Sequence, residues 1–539
     1  MVNSIPLNGS KGYAASGASV KKRALKGFKE MSGSPREDID LNNYTLRQRG
    51  RLMYMGAPIA TSVIKTSRTN TIGLGLKLNP RPDMDFLGLS AEQAAEWVKS
   101  VKREFSLWAD KKDACDATGI NNFYEMQQLL MSSWLMSGDV FTLIQSSKPM
   151  SGRPYSLRLR TVEADRVATP DNSGLLSYVR TTGINPENGN TIYDGVEVDK
   201  SGLAVAYWIR NTYPFENTTE QTVYERVEAR GKKTGLPNII HIMNTERPDQ
   251  YRGVTILAPV IEKLLQINRY TEAELTAAII ESFLTAFITI KEDADASEMP
   301  FNEVGSGYPE EQPTRYDPNE YEMGPGTINV MNEGEKPEFI DPKRPGSNFS
   351  SFIDCIATQI GAGLEMPKEI LMKAFTASYS ASRAALLEAW KSFIMYRTWF
   401  VNDFCNPVYE LWMNEAVALG RISAPGYFSD PAIKAAWLKC QWIGPSQGML
   451  DPTKEIQAEM MACENGFSTY GDSALRLNGS DFDANIEQLT REKARVKELK
   501  AAAGLNDNTE GNEQKTPENE MIALLRDIKR NQVIFAPDK

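Results

Sequence analysis

One histidine, His241, stands among 539 residues. Any site that needs two imidazoles is excluded, which leaves metal-assisted hydrolysis only to carboxylates, and no D-x-D-x-D loop announces such a site. Cysteine is nearly as scarce. Cys115, Cys355, Cys405, Cys440 and Cys463 are widely spaced and form no C-x-x-C pair. That favours reduced thiols in a cytosol-like compartment over a disulfide framework or a zinc knuckle. Neither G-x-x-x-x-G-K-[ST] nor a G-x-G-x-x-G after a strand occurs, so nucleotide binding has no support. A signal-peptide apolar core is missing from residues 1–29, which are rich in Gly, Ser and Lys. The longest apolar run, 273–290, carries Glu274 and Glu281 and reads as a buried or inter-subunit helix. A membrane span is not expected, and the chain should be soluble. A basic surplus is also missing: the net charge is −10, with a pI near 5.2. An ordinary DNA binder, which releases counterions from phosphates, would not look like this.

What is present describes a folded protein. Hydrophobic residues make up 41% and aromatic residues 9%, enough for a large core in about two to four structural units. Residues 1–36 read as a basic arm, with Lys11, Lys21, Lys22, Arg23, Lys26 and Lys29; a solvated tail and a tail that docks on a partner or nucleic acid both fit. Residues 41–72 look helical up to the turn at 73–75. A capping box at Ser90 and Gln93 opens a helix with Trp97, Val98, Val101, Phe105 and Trp108 on one face. A second amphipathic helix carries Phe123, Met126, Leu130, Trp134 and Leu135, stops at Gly138 and is followed by a strand over 140–144.

From there to about residue 242 the pattern is β, with alternation over 157–162, turn residues over 169–174 and short strands over 202–210 and 238–243. Helices followed by strands indicate an α+β unit. Pro259 then opens what reads as one helix to about Phe287, roughly 45 Å long. Residues 291–345 are rich in Pro, Gly and Glu, with a short strand over 327–330. Helices are expected over 348–364 and 381–418, after Asp451, and from Asp483. A polar linker covers 506–518, and one last short helix is expected over 520–532. No internal repeat is found.

Three features invite a chemical reading. WIGPSQG, residues 442–448, fits the G-x-S-x-G nucleophile elbow around Ser446. An elbow needs a strand before the serine and a helix directly after it. Residues 435–442 read instead as helix or mixed, and Asp451 and Pro452 intervene before the next helix. The only histidine lies upstream, where α/β-hydrolases place it after the serine, so a serine hydrolase is the weakest reading. Asp451 with Pro452 reads as a helix start, and the segment is expected to pack Trp437 and Trp442. His241 alternates with apolar neighbours in a strand and reads as a structural histidine without an apparent carboxylate partner. YSASR, residues 379–383, with Lys373 and Thr376, reads as a polar, flexible surface connection.

Several stretches together resemble the portal proteins of tailed phages, specifically the lambda type: CDATG (115–119), Trp134, GDVF (138–141), YWIR (207–210), IHI (240–242) and RPDQYRGV (247–254), then GPG (324–326), Gly334 with Glu335, SNF (347–349), YSASR, and WIGPSQGMLDPTKE (442–455). The order and spacing run from about residue 40 to 495. Ala381 departs from the family's usual Y-S-S-x-R; a methyl for a hydroxyl should matter little to the backbone. The resemblance implies a mainly helical α+β portal fold with wing, stem, clip and crown regions. It further implies a ring of identical subunits, normally twelve, at one capsid vertex, serving DNA entry and exit.

The family's regions map as follows. After the arm at 1–36 come the wing (37–252), first stem helix (253–288), clip (289–346) and second stem helix (347–371). The tunnel loop (372–382), wing helix (383–423), crown (424–500) and C-terminal tail (501–539) complete the chain. The implied partners are further copies of the chain (a dodecamer), the terminase large subunit, a head-completion or adaptor protein, major capsid and scaffolding proteins, and double-stranded DNA; no membrane is implied. The implied location is the virion's capsid vertex, with host cytoplasm during assembly. No cofactor and no chemistry are expected of the chain itself, since ATP hydrolysis would belong to the terminase.

Acidity and a DNA channel are compatible, because twelve copies at −10 carry about −120, a wall that repels a duplex and lets it slide. Transient contacts are assigned to the tunnel loop: Lys373, with Thr376, Ser378, Tyr379, Ser380 and Arg383. A structural head protein without a DNA channel is the alternative.

Overall fold

The computed structural model describes residues 31–282, 286–289, 328–331 and 349–502 except 151, 171–181, 215, 218, 376–377 and 450, together with short pieces of the first 30 residues. It divides into two units, Met1–Leu450 and Asp451–Lys539.

The first unit opens with a π turn, Arg36–Asp40, that runs into α1 (Leu41–Gly56) and then α2 (Pro58–Thr71). The single helix expected over 41–72 is therefore two. Ala57 is extended (φ −113, ψ 110) because the ring of a following proline pushes the preceding residue out of helical geometry, while Pro58 itself suits the first turn of α2. β1 (Lys77–Pro80) and α3 (Met84–Leu87) lead to α4 (Ala91–Ala109), which carries the expected capping box: Ser90 accepts from Gln93 N, and the Gln93 side chain accepts from Ser90 N. After α5 (Lys112–Cys115), α6 (Phe123–Ser137) has a second box at Asn122 and Glu125. It ends at Gly138, whose φ of +94 suits glycine.

β2 (Asp139–Ser146), β3 (Leu157–Glu163), β4 (Thr182–Ile184), β5 (Thr191–Tyr193), β6 (Val196–Val198), β7 (Ala204–Arg210), β8 (Tyr224–Glu228) and β9 (Ile239–Met243) follow. They form two antiparallel sheets, ordered β3-β2-β9 and β4-β5-β6-β7-β8. The expected run of strands after helices is thus observed.

α7 (Ile261–Ser282) is shorter than expected. Phe287 belongs not to it but to β10 (Ala286–Thr289), which pairs in parallel with β11 (Ile328–Met331). A β-branched and aromatic run suits a strand as well as a helix, and periodicity does not separate them at that length. α8 (Phe349–Gly363) and α9 (Lys368–Leu371) precede α10 (Tyr379–Phe400). α10 continues through a π turn, Val401–Cys405, into α11 (Asn406–Ala418), making one interrupted rod where a single helix was expected. α12 (Pro431–Leu438) and β12 (Cys440–Ile443) close the unit, with β12 antiparallel to β1 and Trp442 opposite Leu78.

The main core joins the two ends of this unit. The Phe105 ring meets Trp412 edge-on at 5.0 Å, and Phe123 stacks on Phe404 at 5.7 Å. Trp437 and Trp442 are buried, as expected. The second unit holds α13 (Pro452–Glu464), α14 (Tyr470–Asn478) and α15 (Phe482–Ala502). Asp451 caps α13 through Lys454 N, and Tyr470 stacks on Phe482 at 5.5 Å. Residues 520–532 lie outside the described residues.

Candidate functional site

The candidate contact residues lie between α9 and α10. Lys373 follows α9 in a left-handed conformation (φ +54), and Ala374 N donates to Glu369 O at 3.0 Å, closing the helix C-terminus. Glycine is the usual residue there, because a Cβ makes the conformation unfavourable by about 1–2 kcal/mol. The side chains of Lys373 and Phe375 are exposed. Thr376 lies outside the described residues. Ser378 is the N-cap of α10, its Oγ accepting from Ala381 N at 3.4 Å and standing 3.3 Å from Ser380 Oγ. Residues 379–383 form the first turn of α10, where a flexible connection was read from their polarity; polar residues after a serine cap are equally a helix start. Ser380 is exposed and Arg383 half-buried, and the side chain of Tyr379 lies outside the described atoms.

The segment is framed by α2. Ser62 Oγ donates to Leu371 O at 3.1 Å, at the end of α9. On α10, Arg397 donates Nε–H to Thr71 O at 2.9 Å and Nη2–H to Asn70 O and Pro445 O at 2.9 and 2.8 Å. Burial pulls its pKa down to about 10. Gly444 makes room, since a Cβ there would lie 2.9 Å from the guanidinium carbon.

His241 belongs to a second constellation, built where β2, β9 and the 247–254 segment converge. Arg252 is fully buried. Its Nε donates to Asp139 Oδ2 at 2.6 Å, Nη2 to Asp139 Oδ1 at 3.2 Å and Ala164 O at 2.9 Å, and Nη1 meets Asp194 Oδ2 at 3.0 Å. Asp139 Oδ2 also accepts from Gly253 N at 3.1 Å and lies 3.3 Å from His241 Nε2. The carboxylate partner that the sequence did not reveal is therefore Asp139, brought beside His241 by the pairing of β2 with β9. Arg47 continues the network to Asp165 and Asp194 at 3.0 and 3.1 Å, and Arg51 binds Asp165 and Glu163. Gly253 is required by close approach: a Cβ there would sit 1.9 Å from Gly138 O.

Burial raises the Asp139 pKa, but Arg252 and His241 outweigh it and hold the carboxyl well below its usual range. Burial likewise lowers His241 below the ordinary imidazole value, against the pull of Asp139. The His241 ring is stacked on Phe141 at 4.1 Å. A neutral imidazole between an aromatic face and a saturated carboxylate is a structural part with no open side for a substrate. Asp40, also buried, is pushed up to about 7 by burial and then by Asp194.

Ser446 lies in the irregular segment that follows β12. The segment 435–442 is mixed, as read: a helix ends at Leu438 and the strand β12 precedes Gly444, but β12 pairs with β1 in a two-stranded sheet, and the next helix starts only at Pro452. Among the described residues no group of three or more His, Cys, Asp or Glu could hold a metal ion, and no helix is long and apolar enough to cross a membrane.

The family described as phage portal protein, lambda family, matches residues 21–397. The chain is similar to portal protein B of Escherichia phage lambda, 24% identical over 478 residues that cover 85% of this chain and 86% of that one. It is also similar to the portal protein of Escherichia phage N15, 24% identical with coverages of 83% and 82%. Among solved structures, it is similar to a chain in the neck of an empty GTA particle computed with C6 symmetry, at 15% identity and a TM-score of 0.37, covering 81% of this chain and 94% of that one.

Proposed function

Because the chain belongs to the lambda family of phage portal proteins, we propose that its copies close into a dodecameric ring at one capsid vertex and form the channel through which double-stranded DNA enters and leaves. The family match over 377 residues of continuous chain carries this reading. Portal proteins are structural, not enzymes, in keeping with a buried His241 and a Ser446 that lacks an elbow. The ring docks the terminase large subunit during packaging and a head-completion protein afterwards, and assembles with capsid and scaffolding proteins in the host cytoplasm. Residues 37–252 serve as the wing, 253–288 and 347–371 as stem helices, 289–346 as the clip, 383–423 as the wing helix and 424–500 as the crown.

Within the ring, residues 372–382 form the channel loop. An acidic wall prevents tight phosphate binding, while exposed Lys373 touches the backbone transiently and the first turn of α10 presents Ser380 beside it. Ser378, which caps α10, contributes by holding that turn in place. In heads assembled with Lys373→Ala or with residues 376–380 deleted, less DNase-protected duplex DNA should be packaged and retained. Unchanged packaging and retention in both would sink the assignment.

A further inference from the structure

The channel loop is held differently on its two sides. Its N-terminal flank is pinned directly, by Ser62 of α2 on Leu371 O. Its C-terminal flank is exposed at Ser380, Ala381, Leu387 and Glu388, and full burial along α10 begins at Ala389 and recurs at Phe393 and Phe400. Ser392 Oγ donates to Glu365 Oε2 at 3.1 Å, and the hydrogen bonds to α2 come further on, at Arg397, roughly 27 Å along the helix from Tyr379.

Arg397 is a partly buried arginine. No carboxylate lies within ion-pair distance of it among the described residues, and its three acceptors are main-chain oxygens of residues 70, 71 and 445. Two of these are among the last carbonyls of α2, where the helix dipole places partial negative charge and supplies the compensation a counter-ion would otherwise give. The planar fork of a guanidinium reaches all three at once, which an ammonium does not. Gly73, at φ +60, lets the Pro445 ring approach to 3.1 Å of where a Cβ would stand, so the 444–445 turn is clasped from two sides.

We propose that Arg397 is a positioning residue for the channel loop: it pins the core end of α10 to the end of α2 and to the 444–445 turn, so that α2 sets both flanks of the loop. The consequence for DNA rests on the portal reading of that loop; the clamp itself does not.

Limited trypsin digestion of the assembled full-length protein tests it, because Lys373 is an exposed cleavage site within the loop. Arg397→Met should speed cleavage after Lys373 by about twofold to thirtyfold, the range of couplings carried through packed elements. Gly444→Ala, which intrudes on the guanidinium from the other side, should do the same, and the double variant should be no worse than either alone. Arg397→Lys, which keeps the charge but loses the fork, should lie between and serves where the Met variant does not fold. Cleavage after Lys200, exposed elsewhere in the same unit, should not change. Unaltered cleavage at Lys373, or an equal rise at Lys200, would overturn the proposal. Faster cleavage at Lys373 with unchanged DNA packaging would keep the clamp and remove the loop's role in DNA contact.

Discussion

Arg252, fully buried, and Arg397, partly buried, both hold distant segments together, and they do so by opposite means. Arg252 sits among Asp139 and Asp194, and although burial alone would lower its pKa, those carboxylates raise it above the ordinary value. Arg397 has only main-chain oxygens, and burial lowers its pKa to about 10. Around Arg252, Asp139, Asp165 and Asp194 pair with Arg47, Arg51 and Arg252, and Arg51 also reaches Glu163. Asp40 is buried beside this network, and burial, then Asp194, push its pKa up to about 7. A dense ion network holds one shape, since every member depends on the others. A dipole-compensated clamp can be released without stranding a buried counter-charge.

The largest effect separating the two belongs to Arg252→Met. It leaves Asp139 and Asp194 buried without their main partner and should destabilise the first unit by about 3–5 kcal/mol, whereas Arg397→Met strands no carboxylate and should cost less in the same denaturant titration. Equal losses would erase the distinction. Asp40→Asn comes next and has the opposite sign. A carboxyl raised to about 7 in the folded chain binds more protons than its unfolded counterpart between about pH 4 and 7, so stability falls as pH rises through that window. Removing the charge should therefore stabilise the protein above pH 7, by an amount on the order of 2–3 kcal/mol, and change little near pH 4. A flat difference across pH would show that the Asp40 pKa is not raised by burial. Asp139 works the other way, stabilising above about pH 4 and losing that contribution as acid protonates it. Lys373→Gly is the smallest change: relief of the left-handed backbone should raise the thermal midpoint by the equivalent of about 0.5–1 kcal/mol, while Lys373→Ala, which keeps the Cβ, should not.

Much of the helical framework was readable from local signals. The capping boxes at Ser90 and Asn122, the stop at Gly138, the start at Asp451 and the aromatic faces around Phe105 and Trp134 are short-range chemistry. The break at Ala57 was readable too, in the proline that follows it, and was masked by the apolar pattern on both sides. What escaped was pairing at long range. His241 and Asp139 are 102 residues apart, Arg397 and Asn70 are 327 apart, and no spacing rule connects them. The resemblance marked GDVF, IHI and RPDQYRGV without giving their reason, which is that these three segments cross at Gly138 and Gly253 and share one carboxylate. The candidate loop was found by pattern, but its geometry, with a helix cap at Ser378 and a left-handed Lys373, depends on φ values that polarity does not specify.

The central claim is a ring with a DNA channel, and electron microscopy of the purified, assembled particle tests it most directly. The account predicts a closed ring of identical subunits with twelve-fold symmetry around a central hole wide enough for a B-form duplex. A closed shell lattice, or a ring whose centre is filled by protein on every side, would contradict it.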